Sequence, residues 1–184
     1  MSGAPFHERL GEETSALRAF ARTLSRNAAQ ADDLVQETLL KAWANRDRYQ
    51  EGTNLRAWLF TILRNTFYSH FRKKRREVED VDGAHAERLA EAPTQEHALA
   101  LQDFRRALEE LPEDQREALV LVGAAGLSYE EAAEVANAAV GTIKSRVSRA
   151  RAALSERLGV SSGGEMVQDS HMSAALGAAA ATAA

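Results

Sequence analysis

The spacing of apolar residues predicts a helical N-terminal half. Leu17, Phe20, Ala21 and Leu24 recur at the i, i+3, i+4, i+7 positions of a helix with one buried face. A second helix is predicted from Ala31 to about Ala44, with four apolar residues turned inward: Leu34, Val35, Leu39 and Trp43. After a polar loop at 46–54, a long helix is predicted from an N-cap at Asn54 to about Arg72. Its predicted buried stripe consists of Leu55, Trp58, Leu59, Ile62, Leu63, Thr66 and Phe67.

Apolar residues show little helical spacing over 77–95, and the helical pattern resumes with the residues that follow Pro93. One helix is predicted to end at Pro112, with the apolar residues Ala98, Leu101, Phe104, Leu108 and Leu111 on one face. The next has Pro112 at its first position and a Gly just past its end. Ser128 and Glu131 have the spacing of a capping box, which predicts the start of a further helix. The Ala-rich tail from Gly159 has no apolar face to bury and is predicted to be disordered.

The stretch from Ser128 to Leu158 predicts a helix-turn-helix. Asn137 tolerates the left-handed conformation that the turn requires, and a longer helix follows from about Val140. Its predicted buried stripe is Ile143, Val147, Ala150, Leu154 and Leu158. Small polar and basic side chains occupy the other side, so the helix fits a DNA major groove. There Lys144 and Arg149 could donate to purine edges, and Arg146 or Arg151 to phosphates. The alternative is a basic face that is merely solvated.

Composition excludes several classes of function. The 184 residues include no Cys, which removes disulfides, thiol catalysis and Cys metal sites. No apolar run approaches the roughly 20 residues of a membrane span. The N-terminus lacks the basic-then-apolar order of residues that is typical of a signal peptide. The HExxH and GxxxxGK motifs are absent, and the histidines lack the spacing of metal ligands. We therefore expect a cytoplasmic protein that is not an enzyme, needs no cofactor or metal and does not bind membranes.

Charge is distributed unevenly along the chain, although the net charge is only −4. Residues 1–76 contain 14 Lys and Arg against 8 Asp and Glu, whereas residues 77–100 contain 1 against 7. DNA responds to the local field of a basic patch and not to the chain average. The pattern indicates an all-α protein with two small helical domains and an acidic linker. The predicted boundaries are 1–76, 77–96 for the linker, 97–158, and 159–184 for the tail.

Several motifs together resemble the extracytoplasmic-function (group 4) sigma factors of bacterial RNA polymerase. Residues 111–154, LPEDQREALVLVGAAGLSYEEAAEVANAAVGTIKSRVSRARAAL, resemble region 4 of that family. ADDLVQETLLKAW (31–43) resembles region 2.2, and GTNLRAWLFTILRNTFYSHFRKKRR (52–76) resembles regions 2.3 and 2.4. The motifs occur in the family's order, and within the family they look most like the EcfG type of the general stress response. The resemblance implies a subunit that directs core polymerase to stress-response promoters by reading −35 and −10 elements and opening DNA.

The resemblance also implies the residues that make these contacts. Region 4 would read a GGAAC-like −35 element through Thr142, Lys144, Ser145, Arg146, Ser148 and Arg149. Region 2 would read and hold the −10 strand through Asn54, Thr61, Arg64, Asn65, Tyr68 and Arg72, with Tyr49 as a further candidate. The basic run 72–76 would bind phosphates. Trp58 and Phe67 are assigned to the core. Polymerase would be bound by the polar edge Asp32, Asp33, Gln36 and Glu37.

The implied partners are promoter DNA, the clamp helices of the largest polymerase subunit, the flap of the second-largest subunit, and a NepR-like anti-sigma factor. Two other functions are compatible with parts of the sequence. A stand-alone helix-turn-helix regulator would need only residues 97–158 and a dimer interface, and it leaves the region 2.2 motif unexplained. A sigma-like decoy that sequesters an anti-sigma factor would not need Lys144, Arg149 or the basic run.

Overall fold

The chain folds into two helical modules. The structure, a computed structural model, describes residues 5–78 and 97–159, and within these ranges all regular secondary structure is helical. The N-terminal module comprises α1 (Phe6–Glu12), α2 (Thr14–Ser25), α3 (Ala28–Ala44), a 3₁₀ turn (Arg46–Arg48) and α4 (Leu55–Val78). The C-terminal module comprises α5 (His97–Glu109), α6 (Glu113–Leu119) with a π-helical turn (Val120–Ala124), α7 (Tyr129–Ala136) and α8 (Val140–Leu158). Most of the predicted linker and the tail beyond Gly159 lie outside the described residues.

The predicted stripes of α2 and α4 form the core of the N-terminal module. Leu17, Phe20, Leu59 and Leu63 are fully buried, and the Phe20 ring stacks on Phe60 at a centroid distance of 4.6 Å. Arg26 ends α2 in the left-handed conformation, and the Asn27 side chain then caps α3 by accepting from the Gln30 N–H at 2.9 Å. Burial of large side chains is therefore what fixes the position of α4 on α2 and α3.

Several predicted details of this module differ from the structure. Helix α4 extends beyond Arg72 to Val78, because its Lys- and Arg-rich last turns suit a helix C-terminus. The prediction that Trp43 is buried is wrong, since the side chain is 47% exposed. Tyr49, named as a candidate for base contact, is buried, and its hydroxyl donates to the Thr53 carbonyl at 2.6 Å. Trp58 and Phe67 pack against the core as predicted.

The predicted helix-turn-helix is confirmed in the C-terminal module. The Ser128 hydroxyl accepts from the Glu131 N–H, and the Glu131 carboxylate accepts from the Ser128 N–H, which completes the capping box. Asn137 ends α7 in the left-handed conformation with φ 49°. The α8 stripe is buried at Ile143, Val147, Ala150 and Leu154, and α8 packs on α5, α6 and α7.

The two modules pack directly against each other. Helix α4 contacts α7, and α2 contacts α6 and the π-helical turn. Arg116, which is buried, crosses this boundary: its Nε donates to the Thr23 carbonyl of α2 at 3.2 Å, while its Nη1 donates to the Leu111 carbonyl of its own module at 3.0 Å. The sequence did not predict this packing, and it determines which surfaces of the molecule are open.

Candidate nucleic-acid interface

The predicted −35 residues lie on one side of α8, here called the α8 face (Thr142, Lys144, Ser145, Arg146, Ser148 and Arg149). Thr142, Lys144, Ser148 and Arg149 are exposed, because the buried stripe of α8 turns the opposite side toward α6 and α7. Exposed hydroxyl and cationic groups on the second helix of a helix-turn-helix are the groups that contact base edges and phosphates in a major groove.

Three members of the α8 face also make contacts inside the C-terminal module. Arg146 is half-buried, and its Nε donates to the Asp114 carboxylate at 3.0 Å. The Ser145 hydroxyl donates to the Thr142 carbonyl at 2.9 Å, and the Lys144 ammonium lies 5.6 Å from the centroid of the Tyr129 ring. Arg149 is thus the exposed guanidinium of the predicted −35 set.

The predicted −10 residues lie on α4 and at its N-cap, here called the α4 face (Asn54, Thr61, Arg64, Asn65, Tyr68 and Arg72). The Asn54 side-chain oxygen caps α4 by accepting from the Ala57 N–H at 3.3 Å. One turn apart on the helix, the Arg64 guanidinium lies 4.7 Å from the centroid of the Tyr68 ring. Asn65 and Arg72 are exposed, whereas Thr61, Arg64 and Tyr68 are half-buried. These side chains together offer the donors, acceptors and aromatic ring that hold an unstacked base.

Acidic side chains of the C-terminal module contact the α4 face. Arg64 Nε donates to Glu117 Oε1 at 2.6 Å, the Tyr68 hydroxyl donates to Glu113 at 2.8 Å, and Asn54 Nδ2 donates to Glu131 at 2.8 Å. Arg56, also on α4, donates through Nη1 to the Ala125 carbonyl at 3.1 Å. The α4 face is therefore held by the other module.

Burial at this contact shifts the pKa values of two of these groups. Burial raises the pKa of the Glu117 carboxyl above its ordinary value, although the hydrogen bond from Arg64 acts in the opposite direction. Burial also raises the pKa of Tyr68, and the neighbouring Glu117 and Glu113 carboxylates add to the effect. The phenol is therefore a donor throughout the physiological pH range.

The predicted polymerase-binding edge lies on α3 and is partly engaged in ion pairs. Asp33 and Gln36 are exposed, whereas Asp32 accepts from Arg18 at 2.8 Å. Glu37 contacts Lys41 at 2.7 Å and His70 at 3.0 Å. The hydrogen bond from Lys41, and next the charge of His70, hold the pKa of Glu37 below its ordinary value, although burial acts against them.

Two apolar residues of α3 that sequence reasoning did not assign to a site are also exposed. Leu40 is 71% exposed and Trp43 is 47% exposed. Leu40 lies one turn after Gln36, so an apolar surface continues the polar edge along the helix. The sequence contains a signal for the exposure of Leu40, because this residue falls outside the apolar stripe formed by Leu34, Val35 and Leu39.

Within the ranges 5–78 and 97–159, no helix is both long and apolar enough to cross a membrane. The same part of the chain contains no group of His, Asp and Glu side chains that could hold a metal ion.

Comparison with known proteins identifies the family. Residues 12–77 match Sigma-70 region 2, and residues 101–154 match Sigma-70, region 4. The ECF RNA polymerase sigma factor EcfG of Rhodopseudomonas palustris (strain TIE-1) is 58% identical over 161 residues, which cover 88% of this chain and 89% of the relative. The ECF RNA polymerase sigma factor SigC of Mycobacterium tuberculosis (strain CDC 1551 / Oshkosh) is 40% identical over 131 residues, 70% of each chain.

A solved structure is similar over both modules. The sigma factor RpoE of Bartonella quintana, in complex with the anti-sigma factor NepR, is 55% identical and superposes with a TM-score of 0.77. The similarity covers 85% of this chain and 98% of that one. The chain belongs to the extracytoplasmic-function sigma factors of RNA polymerase.

Proposed function

We propose that the chain directs core RNA polymerase to stress-response promoters of the EcfG type, with the α8 face on the −35 element and the α4 face on the −10 element. The observation that carries this proposal is the exposed Thr142, Lys144, Ser148 and Arg149 surface of α8, in one chain with a second helix face suited to unstacked bases. The chain contributes binding energy and strand opening at the promoter and acts in the cytoplasm without catalysing a reaction of its own.

Polymerase docks on α3. The proposed surface consists of the polar edge Asp32, Asp33, Gln36 and Glu37 together with the exposed Leu40 and Trp43. Acidic and amide groups suit the basic clamp helices of the largest subunit, and the adjoining apolar pair supplies the desolvated contact that dominates most interfaces. The C-terminal module meets the flap of the second-largest subunit.

A NepR-like anti-sigma factor is the proposed negative regulator. The support is the similarity of both modules to the NepR-bound RpoE of Bartonella quintana, at 55% identity over nearly the whole of that chain. A binding assay with a purified NepR-like protein tests this part alone: a complex with the full chain is expected, and no complex at micromolar concentrations would contradict it.

Run-off transcription with purified core polymerase tests the function. The template carries a GGAAC-like −35 element, and the chain is compared with Arg149→Ala and Asn65→Ala. Arg157→Ala is the matched control, because Arg157 is an exposed arginine near the end of the same helix that pairs with Glu110 at 3.3 Å. We expect transcript only when the chain is added, a loss of about tenfold or more for Arg149→Ala, and little change for the control.

Two results would contradict the proposal. No transcript and no binding to core polymerase would remove the sigma function. If the isolated chain still bound DNA, that result would favour a stand-alone regulator. If it bound only an anti-sigma factor, the result would favour a decoy.

A further inference from the structure

Helix α1 contacts the loop that leads into α4, here called the pre-α4 loop (49–54). Arg9 makes the polar part of this contact: its Nη1 donates to both carboxylate oxygens of Glu51, at 3.1 and 2.9 Å. Its Nη2 donates to the Tyr49 hydroxyl at 3.0 Å, and the guanidinium lies 5.3 Å from the centroid of the Tyr49 ring. One arginine of α1 thus holds the loop at two points that lie 40 and 42 positions away in sequence.

Tyr49 connects this contact to the far end of the pre-α4 loop. Its side chain is buried, and its hydroxyl accepts from Arg9 while it donates to the Thr53 carbonyl at 2.6 Å. The Thr53 hydroxyl and N–H both donate to the Gln50 carbonyl, at 2.7 and 3.2 Å, which closes a tight turn. Gly52 within this turn has φ 91°, a conformation that glycine adopts without a steric cost. The loop therefore has a defined shape, and Arg9 is part of what defines it.

Phe6 makes the apolar part of the same contact. The centroid of its ring lies 5.9 Å from that of Tyr49 and 6.4 Å from those of Trp43 and Trp58. Tyr49 and Trp58 pack on each other at 5.4 Å. Aromatic rings at these separations attract one another beyond the burial of their area. Phe6 therefore fixes α1 against α3, the pre-α4 loop and α4 at once, and Arg9 lies one turn later on α1, beside the loop.

The pre-α4 loop ends at the proposed −10 site. Asn54 is both the last residue of the loop and the N-cap of α4, whose Ala57 N–H it accepts at 3.3 Å. A groove of about 570 Å³ begins here, and its polar lining includes side chains of the loop and of α4: Gln50, Thr53, Asn54 and Thr61. The three loop residues of this set are exposed amides and a hydroxyl, which can donate to and accept from a base edge. A shift of the loop would move these groups relative to α4.

We propose that α1 is a positioning element for −10 recognition and that Arg9 is its positioning residue. The proposal rests on the proposed function of the α4 face. Arg9 acts through Tyr49 and Glu51 on the pre-α4 loop and does not itself contact DNA. A loop that is already held in shape loses less conformational freedom when it binds a strand, so more of its contact energy serves to distinguish one base from another. Phe6 and Arg9 lie before the segment that matches Sigma-70 region 2, which begins at residue 12.

Two other roles of Arg9 lead to different results when the side chain is removed. If the guanidinium bound a phosphate, its loss would reduce the salt slope of promoter binding by about one. If it only stabilised the fold, its loss would lower the amount of active protein for every promoter alike. A positioning role leaves the salt slope unchanged and reduces the difference in transcription between −10 sequences.

Run-off transcription with core polymerase measures this difference. The templates share one −35 element and differ by single substitutions within the −10 element, and the discrimination ratio is the transcript from the best template divided by that from the poorest. Arg9→Ala removes the guanidinium, and Tyr49→Phe removes only the hydroxyl that connects it to Thr53. Arg157→Ala is the matched control, because it removes a surface arginine that pairs with a glutamate at 3.3 Å in the other module.

We expect Arg9→Ala to lower the discrimination ratio about fivefold and to leave the salt slope of promoter binding unchanged. Tyr49→Phe should lower the ratio by a similar factor. The double variant should be no worse than the poorer single variant, because both changes interrupt the same series of hydrogen bonds. Arg157→Ala should retain the wild-type ratio. In the free chain, amide hydrogen exchange of the pre-α4 loop should be faster for Arg9→Ala and Tyr49→Phe than for Arg157→Ala.

An unchanged discrimination ratio for Arg9→Ala would overturn the proposal, and so would a smaller salt slope, unchanged loop exchange, or single effects that multiply in the double variant. If Arg9→Ala fails to fold, Tyr49→Phe carries the test alone, because it leaves α1 unaltered, and an unchanged ratio for this variant would then overturn the proposal. Hydrogen exchange of the free chain requires neither polymerase nor promoter. Faster loop exchange in a chain that produces no transcript would therefore refute the proposed function and not the hold of Arg9 on the loop.

Discussion

The α8 face and the α4 face carry similar chemistry but differ in what surrounds them. On α8 the exposed guanidinium of Arg149 faces solvent, whereas on α4 the guanidinium of Arg64 is paired with the buried Glu117 at 2.6 Å. Both arginines stand on a helix whose apolar stripe is buried, so helical pattern alone makes them look equivalent. The difference shows that availability for DNA depends on packing between modules, which is a separate property from the residue types of a face.

The largest expected effect concerns the core beneath the α4 face. Phe60→Ala removes a ring that is 1% exposed and stacks on Phe20, so the free energy of unfolding should fall by about 3–5 kcal/mol. Phe71→Ala on the same helix is the control, because that ring is 59% exposed, and its cost should be far smaller. Urea unfolding followed by circular dichroism measures both, and equal losses would contradict this assignment of the core.

A second prediction compares two arginines within the α8 face. Arg149→Ala should weaken binding of the holoenzyme to a −35 duplex by about 1–3 kcal/mol. Arg146→Ala should cost less, because Arg146 is half-buried and paired with Asp114 at 3.0 Å. Fluorescence anisotropy at fixed salt compares the two, and a larger loss for Arg146→Ala would show that the pair with Asp114 opens on DNA.

A third prediction concerns the turn that positions the α8 face. Asn137 has φ 49°, so Asn137→Ala should lower the free energy of unfolding by about 1 kcal/mol. Asn137→Gly should retain stability, since glycine adopts this conformation without a steric cost. Thermal unfolding of both variants measures the effect, and a stable Ala variant together with an unstable Gly variant would contradict the structural role of this residue.

The smallest expected effect is the pH dependence that comes from Glu117, the carboxylate paired with Arg64 of the α4 face. Because burial raises the pKa of Glu117, the folded chain binds a proton at this carboxyl more tightly than the unfolded chain. The contribution of Glu117 to stability is therefore largest below its unfolded pKa and is lost as pH rises through its folded pKa. Relative to Glu117→Gln, the wild type should gain stability as pH falls from the folded pKa of Glu117 toward its unfolded pKa. A relative loss in urea unfolding would mean that the Arg64 contact outweighs burial.

Local signals predicted the helix-turn-helix closely. The Ser128 and Glu131 capping box, the left-handed Asn137 and the α8 stripe each depend on residues within a few positions of one another, so the sequence contains the whole signal. The burial of Trp43 and Tyr49 differs from the prediction for another reason. Periodicity places Trp43 on the inner side of α3 near the helix end, where neighbouring elements decide burial, and Tyr49 lies in a loop without periodicity.

The packing of the two modules had no readable signal in the sequence. It depends on polar contacts such as Arg64 with Glu117 and Asn54 with Glu131, which join residues 53 and 77 positions apart. Along a single helix such residues look like solvated polar or charged side chains, because their partners are visible only in three dimensions. The α4 face could thus be predicted by resemblance to the family, whereas the C-terminal carboxylates that contact it could not.

Binding of two DNA probes by the free chain tests the central comparison most directly. One probe is a duplex with the −35 element, and the other is the non-template −10 single strand. Relative to Glu130→Lys/Glu156→Lys, Glu113→Lys/Glu134→Lys should bind the −10 strand about tenfold more tightly and bind the −35 duplex with the same affinity. Equal changes for both probes, or no change for either, would contradict the claim that only the α4 face is covered.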